Sequence, residues 1–427
     1  MTKRPAAATV AAKPRAEKRV LVLTHSHPAL SRGGAEMSAA ALSAAVGDSL
    51  GWKSWLLGCS REPEGARAGS CITQPFGDNS YLYSAGPFNW FAFANRDKNF
   101  PGAFAAMLRE VQPDILHFHH YLIFGVDAFL IARQTLPNCK IVLTLHEYQA
   151  ICNHYGQMIK TDGDVLCHQA SPRDCNHCFP KYSRSDFFLR QTYIQRFFDL
   201  VDSFIAPSQF LADRYIAWGV PAAKMTVLEN IVGPAPAEIV RPAESAVLRI
   251  GFFGQTTRLK GINVVLDAAE MLDDDVAVVF DVHGDDSDQP DEFREEFAVR
   301  RKEAGRRLRF HGAYDNHRVD TLMQQVDLVL VASIWWENSP VVIQEAIRNR
   351  RPVICSNIGG MAEKIRPGRD GWHLTPGDAT ELAALVTRLA TNRAEVTAMA
   401  ASLRDPVAPS VTVDAHLALY GGLLAAK

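Results

Sequence analysis

Short apolar runs bounded by turn residues alternate with stretches of helical spacing along nearly the whole 427-residue chain. The runs are "RVLVLTH" (19–25), "SWLLGC" (54–59), "DILHFHH" (114–120), "IVLTLH" (141–146) and "SFIAPS" (203–208), then "LRIGFFG" (248–254), "VAVVFDVHG" (276–284), "LRFHG" (308–312), "DLVLVAS" (327–333) and "PVICSN" (352–357). Runs of about 4–8 residues rich in Val, Ile and Leu read as parallel strands buried on both faces. Their endings in Gly, His, Ser or Asn place loops at the strand carboxyl ends. The pattern predicts an α/β fold of two doubly wound, Rossmann-like domains facing each other across a cleft, with ligands beyond the carboxyl ends of the strands.

The stretch at 230–247 is rich in Pro, Ala and Gly and lacks a helical period, which marks a boundary between domains. The expected division is a disordered basic tail (1–18), an N-terminal domain (19–235) with a Cys-rich insert (150–180), a linker (236–247), a C-terminal domain (248–405) and a helical segment (406–427) that packs back on the N-terminal domain. The charged stretch from Asp285 to Arg307 reads as a solvated helix with its flanking loops.

Composition narrows the function classes. Lys and Arg number 45 against 47 Asp and Glu, so no global field favours nucleic acid, and any anion needs a local site. No apolar run approaches the ~18 residues that span a bilayer, and the N-terminus lacks the apolar core of a signal peptide. A cytoplasmic protein is the expectation. The basic tail and the aromatic-rich stretch at 79–98 leave room for peripheral contact with the inner membrane surface, although the aromatics read equally as an acceptor platform or as loop packing.

The segment "SIWWENSPVVIQEA" (333–346) holds two glutamates on either side of a predicted helix start, with Ser339 as N-cap and Pro340 at the first helical position. Free N–H groups and the positive end of the helix dipole favour a phosphate or sugar hydroxyls there. At 1.5 Å rise per residue, Glu337 and Glu345 lie roughly 12 Å apart at most along the axis. A carboxylate accepts two hydroxyl hydrogen bonds, so the pair suits a ligand with vicinal hydroxyls at both ends.

With its flanking residues, "WENSPVVIQEA" resembles the E-x7-E motif of the retaining GT-B glycosyltransferases of family 4, which use nucleotide-sugar donors. The resemblance implies that Glu337 contacts the donor sugar, Glu345 the ribose, and the backbone of Asn338, Ser339 and Pro340 the sugar. "GFFGQTTRLKG" is similar to the family's phosphate segment, which assigns Gly254 and Lys260 to the donor diphosphate. Gln255 stands where the family often has Arg, and the nearby Arg258 could replace that charge, or Gln255 could itself hydrogen-bond the phosphate. Gly33 and Gly34 open a helix after the first strand and match the loop bordering donor phosphate and acceptor; the sequence there is not the dinucleotide fingerprint GxGxxG. His146 resembles the strand-end histidine beside the donor sugar. The histidines of "HFHH" (117–120) could line the acceptor side.

Cys152, Cys167, Cys175 and Cys178 have the number and final spacing of a structural Zn site, while Cys59, Cys71, Cys139 and Cys355 read as buried thiols in a reducing compartment. No metal is expected in catalysis, because Lys260, Arg258 and helix starts can neutralise the departing diphosphate. The sequence therefore points to a retaining transfer from a UDP-, GDP- or ADP-sugar to a hydroxyl of a glycan, lipid-linked glycan or small acceptor. Two alternatives stand beside it: a nucleotide-sugar 2-epimerase of the same fold, and a non-enzymatic module binding nucleic acid or a protein partner.

Overall fold

The computed structural model describes residues 17–426 apart from residues 32, 62–68, 164, 241–244 and 288. Most of the expected basic tail (1–18) and part of the expected linker therefore lie outside the described residues.

The N-terminal half carries strands β1 (Lys18–Leu23), β2 (Trp52–Ser60), β3 (Ile72–Thr73), β4 (Ser80–Ser84), β5 (Phe88–Asn89), β6 (Ala94–Asn95), β7 (Ile115–Phe118), β8 (Lys140–Thr144), β9 (Ser203–Ala206) and β10 (Met225–Val227). Eight of them form one sheet in the order β10-β9-β8-β7-β1-β2-β4-β3, and β5 pairs with β6 in a separate hairpin. Only the β3–β4 edge of the large sheet is antiparallel. The C-terminal half carries β11 (Leu248–Phe253), β12 (Val278–His283), β13 (Leu308–Gly312), β14 (Leu328–Val331), β15 (Val353–Ser356) and β16 (Gly371–Leu374), in the order β13-β12-β11-β14-β15-β16. All pairs in this second sheet are parallel. The predicted two-sheet α/β architecture is present. In both sheets the strand order reverses beside the first strand of the half, which opens the crevice where ligands of such sheets bind.

The sheets are held by separate apolar cores, because helices cover both faces of each. One N-terminal face packs under Phe104, Phe118, Phe124, Phe129 and Phe204. The other packs under Ala39, Leu42 and Val46 of the helix Gly34–Gly47 together with Val413 and Tyr420 of the terminal helix Pro409–Ala425. The terminal helix therefore returns to the N-terminal sheet, where the Tyr420 hydroxyl lies 2.6 Å from His117 Nδ1. The charged stretch forms the helix Asp291–Glu303, with only Phe297 buried. Among the described residues no helix is long and apolar enough to cross a membrane.

Candidate active site

On the C-terminal side the site is built around one carboxylate. The chain leaves β14 as a loop and re-enters regular structure at the helix Val341–Arg348, and Glu337 is buried in that loop. Its Oε1 accepts from Lys260 Nζ at 2.5 Å, Ser333 Oγ at 2.9 Å and Trp335 Nε1 at 3.0 Å. Two glycines make this geometry possible. Gly261, with φ of 81°, sets Lys260 against the loop, and a Cβ there would overlap the Ala332 carbonyl oxygen. Gly360 donates its N–H to the Glu337 carbonyl at 2.7 Å, an approach that leaves no room for a Cβ beside the Asn338 carbonyl.

The expected cap is corrected by the structure. Pro340, not Ser339, occupies the N-cap position, with φ −63° and ψ 117°, and no side chain caps the helix. Ser339 Oγ is drawn instead to the Glu229 carboxylate, which also pairs with Lys364. The helix start keeps its N–H groups free of a side-chain cap.

Gly254 turns the chain after β11 with φ of 129°, and Gln255 and Arg258 stand exposed on the loop that follows. Glu345 lies in the body of the helix, and burial pushes its carboxyl up to about 7, with Arg348 opposing and Asp320 adding to the rise. The Tyr314 hydroxyl is also pushed up, first by burial and then by the charge of Glu345. Tyr314 meets Phe253 edge-on at 5.9 Å, and Phe253, His283 and His311 stack in sequence at 4.8 and 4.3 Å. This aromatic wall at the ends of β11, β12 and β13 lies beside Glu345 and can line a nucleoside.

The N-terminal side contributes a neutral cluster. Gly33 is the N-cap of the helix Gly34–Gly47, and a Cβ on Gly34 would sit 3.8 Å from Val341 Cγ2, so the two helix starts meet across the cleft. Beneath them, His25 Nε2 contacts Glu36 Oε1 at 3.1 Å. Leu122 N donates to His120 Nδ1, so His120 carries its proton on Nε2 and donates it to Glu147 Oε1 at 3.2 Å. His119 Nδ1 and His146 Nε2 share one hydrogen bond at 3.1 Å. Burial drives His25 down to about 4 and His120 and His146 to about 3, and raises the Glu147 carboxyl to about 8. These groups are thus largely uncharged at neutral pH.

The two sides are joined directly. Asn338 Nδ2 donates to the His146 carbonyl at 2.6 Å, while Asn338 Oδ1 is buried without a partner. Lys260, Glu337, Asn338, His146 and Gly34 therefore converge, although more than 300 residues separate the first from the last in the chain. Trp336 is buried and donates from Nε1 to the Cys167 carbonyl at 3.1 Å; its ring lies on Phe210 and beneath the Arg214 guanidinium. Trp335 points to the site and Trp336 away from it, toward the Cys-containing segment.

The structure gathers Cys152, Cys167, Cys175 and Cys178 around one cavity of about 20 Å³. Their side chains do not converge as ligands: among the described residues no group of three His, Cys, Asp or Glu is placed to hold a metal ion. All four are free thiols, and burial raises Cys152 to about 11 and Cys175 above its ordinary range.

Glu36 and Glu147 escaped the sequence reading. Glu36 falls in the first turn of an Ala-rich helix, where a glutamate ordinarily faces solvent; only its approach to His25 gives it a place in the site. Glu147 directly follows His146, which was the one available signal.

Comparison with known proteins agrees with this geometry. The sequence model described as "Glycosyltransferase Family 4" matches residues 32–235, and the one described as "Glycosyl transferases group 1" matches residues 242–404. The amylovoran biosynthesis glycosyltransferase AmsK of Erwinia amylovora is 25% identical over 209 residues, which is 47% of this chain and 50% of that protein. The match thus spans half the length of that relative. Among solved structures, HepE of Anabaena in complex with UDP-glucose superposes with a TM-score of 0.63 at 17% identity, covering 94% of this chain and 99% of that one. Sucrose-phosphate synthase of Thermosynechococcus elongatus gives 0.67 at 17% identity, covering 96% and 100%. The chain belongs to the group 1, family 4 glycosyltransferases and has their GT-B fold.

Proposed function

We propose that the protein is a retaining glycosyltransferase that moves a sugar from a nucleoside-diphosphate donor to a hydroxyl of a glycan or lipid-linked glycan. The observation that carries this reading is the convergence of Lys260, Glu337, Asn338, His146 and Gly34 from four strand ends of two sheets. Lys260 is the cation for the donor diphosphate, with Arg258, Gln255 and Gly254 on the same loop and the helix starts at Gly33–Gly34 and Pro340 supplying N–H groups. Lys260 is paired with Glu337. A diphosphate would compete for the ammonium and free the Glu337 carboxylate for sugar hydroxyls. Glu345 takes the ribose, beside the wall of Tyr314, Phe253 and His283. The departing diphosphate is neutralised by these cations and dipoles without a metal in the catalytic step. Its oxygen can draw the proton from an acceptor hydroxyl entering on the same face, which retains the anomeric configuration. His146, neutral and bonded to His119, offers a polar edge to the sugar without adding charge.

HepE has been solved in complex with UDP-glucose, which supports a nucleotide-sugar donor, and AmsK acts in amylovoran biosynthesis, which supports a polysaccharide-type acceptor. Thermal-shift screening of UDP-, GDP- and ADP-sugars identifies the donor, since a ligand that binds only the native state raises its melting temperature. Anomeric analysis of the product by NMR then tests retention, and an inverted product overturns it. Incubation with donor alone separates the 2-epimerase: an epimerised nucleotide sugar, rather than slow hydrolysis, would replace the transferase reading. Elemental analysis of the reduced protein decides the cysteine cluster, where near-stoichiometric Zn is the result the metal expectation requires and its absence overturns that expectation.

A further inference from the structure

Glu229 lies just past the last strand of the N-terminal half, yet both of its carboxylate oxygens engage the C-terminal half. Leu228 continues β10 by donating its N–H to the Ala206 carbonyl at 3.0 Å, which fixes the chain one residue earlier. Oε2 then meets Lys364 Nζ, and Oε1 accepts from Ser339 Oγ. Lys364 is itself held in place. Its ammonium donates to the Pro207 carbonyl at 2.7 Å, and its own carbonyl accepts from the Arg404 guanidinium at 2.7 Å. The adjacent Glu363 accepts from the N–H groups of Gln209 and Phe210, which open the helix Gln209–Trp218. The position of the Glu229 carboxylate is therefore set from both halves before Ser339 reaches it.

What Ser339 would otherwise do follows from its place in the chain. A serine just ahead of a helix turns its hydroxyl onto the N–H two or three residues on, here that of Val341 or Val342. Pro340 occupies the N-cap position and has no polar side chain to serve instead, and no side chain caps the helix Val341–Arg348. The hydroxyl is turned to Glu229, where a hydrogen bond to a charged group is roughly twice as strong as one between neutral groups. The space left at the helix start is one that suits an anion. A Cβ on Gly34 would lie 3.8 Å from Val341 Cγ2, so the start of the helix Gly34–Gly47 faces the same place, and Asn338 Oδ1 beside it is buried without a partner.

We propose that Glu229 is a positioning residue for the donor: by holding Ser339 Oγ away from the start of the helix Val341–Arg348, it leaves the first N–H groups of that helix open to the donor diphosphate. The role exists only if a nucleoside diphosphate binds at that start, as in the proposed function. Lys364 fixes the carboxylate and balances its charge. Because Glu229 comes from one half and Ser339 from the other, the helix start is cleared where the two halves meet.

The test is calorimetric titration of the full chain with UDP, GDP and ADP, with melting temperatures recorded alongside. The wild type is expected to bind one of these nucleotides. Glu229→Ala lets Ser339 turn back onto the helix and should weaken that binding about fivefold, the equilibrium factor of a typical helix cap. Adding Ser339→Ala removes the competing hydroxyl, so the double variant should bind more tightly than Glu229→Ala, the reverse of what two lost contacts would do. Glu229→Gln keeps an oxygen for Ser339 and should lose less than the alanine variant. Wild-type affinity in Glu229→Ala overturns the proposal, and so does a loss that Ser339→Ala deepens or leaves in place, because Glu229 would then act through packing. If the wild type binds none of the nucleotides, the donor reading itself fails and Glu229 loses this role with it.

Discussion

The two edges that meet at the cleft handle polar groups in opposite ways. On the C-terminal edge, three donors from two loops converge on a single oxygen of Glu337, and one of them is the Lys260 ammonium. On the N-terminal edge, burial has neutralised His25, His120 and His146, and several polar atoms are left without partners, among them His25 Nδ1 and His119 Nε2. A buried polar atom without a partner costs on the order of 1–3 kcal/mol, so each of these, like Asn338 Oδ1 on the C-terminal edge, marks a place where a bound polar group would be favourable. The contrast separates the roles. Under the proposed function, the charges of the C-terminal edge would meet an anionic donor, and the neutral hydrogen-bonding groups of the N-terminal edge would meet a hydroxyl-bearing, uncharged acceptor.

The severest way to break the comparison is to remove the carboxylate at its centre. Glu337→Gln keeps the shape of the loop and an amide oxygen that can still accept from Ser333 and Trp335, but removes the charge paired with Lys260. Donor-dependent nucleotide release should fall on the order of 10³-fold, the scale of deleting a preorganised electrostatic contact to a transition state, with the circular dichroism spectrum retained. Turnover near wild type would remove Glu337 from the chemistry. Lys260→Met should follow at about 10²-fold, expressed in donor KM as well as kcat, because the lysine holds phosphate in the ground state and at departure alike.

How these residues were legible in the sequence follows from the same contrast. The ten apolar runs all recur as strands because strands buried on both faces cannot hide their composition. β4 was hidden within an aromatic-rich stretch of weak alternation, β10 has only three half-exposed residues, and β16 opens on Gly371 and spans four residues. The C-terminal edge was legible because its candidate residues lie in contiguous motifs: the loop from Gly254 to Lys260 and Gly261, and the two glutamates around a helix start. On the N-terminal edge Gly33, Gly34 and His146 were legible, whereas Glu36 and Glu147 become functional candidates only through His25 and His120, which approach them from other strand ends. Ser339 shows the limit of local rules. Its sequence position favours capping, and the Glu229 carboxylate outcompetes that role by offering a charged acceptor.

A test of intermediate size targets the N-terminal edge alone. Glu147→Gln keeps an acceptor for His120 but cannot ionise, and it should raise acceptor KM about tenfold while leaving donor KM unchanged. A change confined to the donor parameter would reverse the assignment of the two edges. The titration of Glu345 sharpens the donor side by a similar factor. Its folded pKa of about 7 lies above the ordinary carboxyl value, so the neutral form favours the fold at low pH, and that contribution is lost as pH rises through 7. Ribose hydroxyls favour the ionised form. Donor kcat/KM should therefore climb by up to about tenfold per unit below pH 7 and level off above it. Glu345→Gln should lower activity and erase that limb, whereas a limb that persists in this variant belongs to another group, with Glu147 at about 8 the first to test.

The smallest expected effect concerns the tie between the edges. Trp336 sits one residue before the central carboxylate but belongs to the N-terminal core, where its N–H meets the Cys167 carbonyl and its ring packs on Phe210, with the Arg214 guanidinium against both rings. Trp336→Phe preserves most of the ring contact and deletes only the N–H, leaving the Cys167 carbonyl short of a donor at a cost of about 1–3 kcal/mol. The melting temperature should drop by a few degrees, and kcat/KM should fall only a few-fold, because Glu337 retains Lys260, Ser333 and Trp335. If stability falls while activity is unchanged, the tie acts purely in packing. If activity instead falls as far as in Glu337→Gln, the two edges are one coupled unit, and the separation of donor and acceptor chemistry drawn from their hydrogen bonding would have to be abandoned.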